Sequence, residues 1–79
     1  MHSLNVYFYD ARSNQPIEEG DKLRNGKLVL NKVEDAAYIQ VLLRTDYINI
    51  DKTRYKVRSL SFSIDESALY VYLEESYGR

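Results

Sequence analysis

The residue types that run chemistry are scarce in this chain. The sole histidine is His2, and cysteine is absent. Nucleophilic catalysis needs an activated Ser, Cys or Lys beside a base. A base two residues from a terminus, where chains fray, is poorly placed to hold that geometry. Without cysteine there is no thiolate metal site and no disulfide framework, which fits a reducing compartment. Metal binding would rest on carboxylates, Glu18, Glu19 and Asp21 or Asp65 and Glu66. Neither group has the spacing of a calcium loop, so both read as solvated turn residues. General acid or base work would need one of them buried. Gly20, Gly26 and Gly78 stand too far apart to cradle a phosphate. No catalytic, cofactor-binding or metal-binding residue is expected, and the chain reads as a non-enzyme.

Two other groups suit binding. Lys52, Arg54, Lys56 and Arg58 are spaced by two, which on an extended chain aligns four positive charges along one side. They are candidate contacts to phosphate or to an acidic protein. The bland alternative is a solvated face paired across strands with Asp46, Asp51 or Glu74. The second group is Tyr7 and Tyr9 in one apolar segment with Tyr70 and Tyr72 in another. If Leu4, Val6 and Phe8 and Leu69, Val71 and Leu73 face inward, these tyrosines face outward, and pairing of the two segments gathers them into one patch. Tyrosine suits interfaces because its ring supplies area while its hydroxyl tolerates water. The alternatives are cross-strand pairing that only stabilises the sheet, or a covering layer formed by residues 31–44.

Strands must position both groups. Leu4 to Tyr9 alternates as a strand and ends in a polar loop from Asp10 to Pro16, continued by Glu18 to Asp21. Asn25-Gly26 suits a tight turn between Lys22-Leu23-Arg24 and Lys27 to Leu30, predicting a short hairpin. Tyr47 to Ile50 is a short strand closed by Asp51 to Arg54. Tyr55 to Ile64 alternates but changes phase: Tyr55 and Val57 share one face, and Leu60, Phe62 and Ile64 the other. A bulge at Arg58 or Ser59 reconciles them. Asp65-Glu66-Ser67 then turns the chain into Leu69 to Leu73, completing a three-stranded antiparallel meander. The expected core is Val6, Phe8, Leu28, Leu30, Val57, Leu60, Phe62, Ile64, Val71 and Leu73. On that reading Phe62→Ala costs about 3–5 kcal/mol. Residues 31–44 are ambiguous. Asn31 followed by Glu34 resembles a helix capping pair, whereas Ala37, Ile39, Val41 and Leu43 alternate as a strand, which is the favoured reading.

The run Asp46 to Val57, with Leu60 to Ile64 and Leu69 to Glu74, resembles small barrel-like proteins of bacteriophages and mobile elements. In these an Asp-aliphatic-x-aliphatic strand leads through a charged turn to a Tyr-x-Val strand and a last aliphatic strand ending in Glu. The resemblance covers less than half the chain and implies an accessory or assembly role, with no functional residues to carry over.

At 79 residues, 44% hydrophobic and 29% charged, the chain fits one marginally stable domain spanning 1–79 and not a disordered segment. The net charge of −1 disfavours broad attraction to nucleic acid. No signal peptide or membrane span is readable, so a cytoplasmic location is expected. The expected fold is all-β, a small antiparallel barrel or strongly bent sheet of about five to six strands, with an α+β fold carrying one helix at about 32–44 as the alternative. The expected role is protein–protein interaction or self-association through the tyrosine face or a sheet edge. The alternative is a small nucleic-acid-binding barrel using the tyrosines and the basic stripe.

Overall fold

The alternation of Leu4, Val6 and Phe8 with Asn5, Tyr7 and Tyr9 forms strand β1, Ser3–Asp10, in which Leu4, Val6 and Phe8 are buried. The computed structural model describes residues 3–17 and 26–76. After β1 follow β2 (Lys27–Asn31), helix α1 (Ala36–Arg44), β3 (Tyr47–Ile50), β4 (Thr53–Ser63) and β5 (Ala68–Glu75). The strands make one sheet in the order β2-β1-β5-β4-β3, curled into a half-barrel. The fold is thus a strongly bent, mainly β sheet of five strands, to which the alternative helix is added. Strands β3, β4 and β5 form the expected antiparallel meander, while β1 and β5 run parallel and make the sheet mixed.

The hairpin proposed around Asn25-Gly26 involves Lys22 to Arg24, which lie outside the described residues, as do His2, Glu18 to Asp21 and Gly78. Lys27 to Asn31 pairs with β1. Beyond Tyr7 the neighbouring edge of β1 is filled by the returning loop. Ile17 N donates to Phe8 O at 2.9 Å, and Phe8 N donates to Gly26 O at 2.8 Å. Gly26 has φ +76°, and a Cβ there would lie 3.0 Å from Pro16 Cβ and 3.1 Å from the Phe8 carbonyl oxygen. Glycine is therefore required by the backbone angle and by the close approach together.

Residues 31–44 take the helical alternative, not the favoured strand. Asn31 Oδ1 accepts hydrogen bonds from Val33 N and Glu34 N, both 2.9 Å, and Asp35 Oδ2 accepts from Asn31 N at 2.8 Å. This is the reciprocal logic of a capping box, with Asp35 supplying the return carboxylate in place of Glu34. The turn so fixed leads into α1, which inserts Leu42 and part of Ile39 into the core. These two are three residues apart, the spacing of a helical face.

The bulge occurs where the phase change demands it. Val57 pairs with Leu73 and Ser59 with Tyr72, leaving Arg58 as the extra residue. Leu60 then lies opposite Val71 and Phe62 opposite Leu69, on the inner face as expected. Burial does not follow. Leu60 is 40% exposed, Phe62 55% and Ile64 82%, so the three leave the expected core. Ile64 lies beyond the end of β4, in the turn. The core consists of Leu4, Val6, Phe8, Ile17, Leu30, Leu42, Ile50, Tyr55, Leu69, Val71 and Leu73, with Leu28 and Val57 half-buried beside it. The reason is coverage. A nine-residue helix is about 13 Å long, whereas five strands span about 19 Å. Helix α1 connects the two edge strands over the inner face and leaves the β4 border bare.

Candidate functional site

The two faces of the sheet carry different surfaces. On the outer face, the parallel register of β1 and β5 places Tyr7 beside Tyr70 and Tyr9 beside Tyr72. All four rings stack: Tyr7 and Tyr70 lie 5.2 Å apart between centroids at 15°, Tyr9 and Tyr72 5.8 Å at 25°, and Tyr9 and Tyr70 6.1 Å at 27°. The expected patch is therefore assembled, and each of its tyrosines is half-buried by its neighbours. Helix α1 lies on the opposite face and does not cover it. Tyr70 donates its hydroxyl to Glu66 Oε1 at 2.6 Å. That hydrogen bond, helped by partial desolvation and by the carboxylate's charge, pushes the Tyr70 pKa up to about 12.

The basic stripe shares the outer face but is divided. Lys52 sits in the turn after β3, where Asp51 adopts φ 58°. The Arg54 guanidinium lies 4.1 Å from the centroid of the Tyr47 ring, a cation–π contact. Lys56 pairs in register with Tyr47 and Glu74. Arg58, displaced by the bulge, reaches Glu74 at 3.4 Å, and Arg12 reaches the same carboxylate at 3.0 Å. Lys27 adds a further cation 5.9 Å from the Tyr7 ring centroid. Four aligned free charges are not what the fold displays, because the turn, the ring and Glu74 each claim one.

The inner face holds what sequence reasoning missed. Two open apolar grooves flank α1. One, of about 540 Å³, lies between the helix residues Ala36, Ile39 and Leu43 and the strand residues Leu4, Phe62 and Leu69. The other, of about 430 Å³, lies between Tyr38, Val41 and Leu42 and the residues Phe8, Tyr47 and Ile48. Tyr38, Val41, Leu43, Leu60 and Phe62 are exposed around them. One signal was present in the sequence: only Gln40 and Arg44 interrupt the apolar composition of α1. A helix apolar on more than one side has more surface to bury than one sheet can cover.

Among the described residues no three His, Cys, Asp or Glu gather in a way that could hold a metal ion. Nor is any helix among the described residues long and apolar enough to cross a membrane. Comparison with protein family models, curated proteins and solved structures finds no match for this chain.

Proposed function

We propose that this protein is a non-enzymatic protein-interaction or assembly module, with an accessory role of the kind found in bacteriophages and mobile elements, working in the cytoplasm. The observation that carries this reading is the apolar inner border of the sheet. Leu60 and Phe62 point to the core side yet remain exposed beside the groove lined by Leu43. Exposed apolar surface in a chain with so small a core is costly to leave wet, and a protein partner is the usual way to bury it. The tyrosine array on the outer face, Tyr7, Tyr9, Tyr70 and Tyr72, supplies a second contact surface of amphipathic rings.

A second reading has its own support, since Lys27 lies over the Tyr7 ring and Arg54, Lys56 and Arg58 share the outer face with the tyrosines. Single-stranded nucleic acid is bound by stacking bases on open aromatic faces between such cations. Here the ring faces are turned toward one another, and Glu74 engages Arg58. Both features favour a protein partner.

The discriminating experiment is a fluorescence-anisotropy titration with labelled single-stranded DNA at low and high salt. Weak binding that Lys52→Ser with Lys56→Ser leaves unchanged is the expected result. Tight, salt-sensitive binding abolished by that lysine pair would replace the interaction reading with the nucleic-acid one.

A further inference from the structure

Resting on the interaction-module reading, we infer that the partner of the β4 border is a second copy of this chain, joined through antiparallel pairing of β4 with itself about a two-fold axis at Ser61. The first observation is an open edge. Strand β3 pairs with β4 only from Thr53 to Lys56, and one further bond, Val57 N to Asp46 O at 2.9 Å, closes that ladder. From Ser59 to Ser63, strand β4 pairs with β5 on one side and with nothing among the described residues on the other. The corresponding gap beside β1 is filled by Ile17.

The second observation is how little of this edge is protected. Natural edge strands are kept apart by charge, proline, brevity or a bulge, and the bulge with Arg58 guards only the start of β4's open edge. Strand β3 is four residues long, and β2 begins with Lys27. The open stretch of β4 is Ser59-Leu60-Ser61-Phe62-Ser63, which carries neither charge nor proline.

The third is self-complementarity. Antiparallel partners share a face, so a two-fold axis through Ser61 sets Leu60 of one copy against Phe62 of the other on the inner face. On the outer face Ser59 meets Ser63, and Ser61 meets Ser61. Moving the axis to Leu60 would oppose Phe62 and the bulged Arg58, and moving it to Phe62 would oppose Leu60 and Ile64, which lies outside the strand. Only the register centred on Ser61 pairs every residue of the run with one of its own kind. The pairing also brings Leu43, which lines the groove with Phe62, to the border between the copies. An interface of five residue pairs with these flanking side chains is small, so the dimer is a weak one.

The test is sedimentation of the full chain from micromolar to millimolar concentration at low salt. The wild type is expected to shift with concentration from the 9.3 kDa monomer toward twice that mass. Ser61 is exposed on the outer face, so Ser61→Lys and Ser61→Glu should each fold with unchanged circular dichroism. Each alone opposes two like charges at the axis and should dimerise about tenfold more weakly. Mixed one to one they should recover a heterodimer, because residue 61 then meets its opposite charge. A wild type that stays monomeric, or charge variants that dimerise as well as wild type, overturns the self-pairing. Dimerisation lost in Tyr7→Ser with Tyr72→Ser but kept in both Ser61 variants also overturns it, while upholding the interaction-module reading through the other face. Failure of that reading itself is registered separately, by the DNA titration.

Discussion

Phe8 and Phe62 are the two phenylalanines of the chain, and both point to the inner face of the sheet, yet their removal should have very different consequences. Phe8 is 4% exposed and contributes to the core from a central strand. Truncation of a buried phenylalanine costs about 3–5 kcal/mol, from lost transfer energy and the cavity left behind. Against a total stability of about 4–12 kcal/mol for a chain of this length, Phe8→Ala should leave the domain barely folded or unfolded. Phe62 is 55% exposed. A little under half of its surface is lost from water on folding, and its removal opens a groove to solvent without creating a closed void. The same scale then gives about 1–2 kcal/mol. The assay is urea unfolding followed by tyrosine fluorescence, at a concentration where the chain is monomeric. With a slope of roughly 1 kcal/mol per molar urea, Phe62→Ala should move the midpoint down by about 1–2 M, and Phe8→Ala should have little or no folded baseline. Equal losses for the two variants would refute the uncovered border at β4 and return Phe62 to the core.

Gly26→Ala forces a side chain into left-handed backbone and against Pro16 Cβ and the Phe8 carbonyl oxygen. It should cost about 1–2 kcal/mol or more, read as a fall in thermal midpoint of about 4–8 °C per kcal/mol. Asn31→Ala removes the acceptor for two backbone amides before α1 and should cost about 0.5–2 kcal/mol, with faster amide exchange at Val33 and Glu34 as its local signature. The raised pKa of Tyr70 means that the fold favours its neutral form. The associated stability is therefore fully present below the ordinary tyrosine value near 10 and is lost as pH rises through about 12. An ultraviolet phenolate titration of the wild type minus Tyr70→Phe should show this late ionisation, and Glu66→Gln should bring it back toward 10. A late ionisation unchanged by Glu66→Gln would dissociate it from the 2.6 Å hydrogen bond.

The amino-acid sequence by itself determined the local features of this protein, because each rests on neighbours in the chain. Period-two alternation set the facing of β1 and β5, and the change of phase between Val57 and Leu60 required the extra residue found at Arg58. The outward tyrosines followed from the same periodicity, and the pairing of β1 with β5 gathers them as expected. Tertiary structure decided whatever depends on coverage. In residues 31–44 the alternation of Ala37, Ile39, Val41 and Leu43 and a helical repeat were both readable. The choice fell to helix because the turn tied by Asn31 and Asp35 directs the chain across the trough, where Leu42 is buried and Ile39 half-buried. The basic stripe was divided by cross-strand contacts, with Glu74 claiming Arg58 and Tyr47 claiming Arg54. Facing could be read for Leu60 and Phe62, but burial could not. A side chain that points inward is buried only if another element lies over it, and a nine-residue helix is too short to roof five strands.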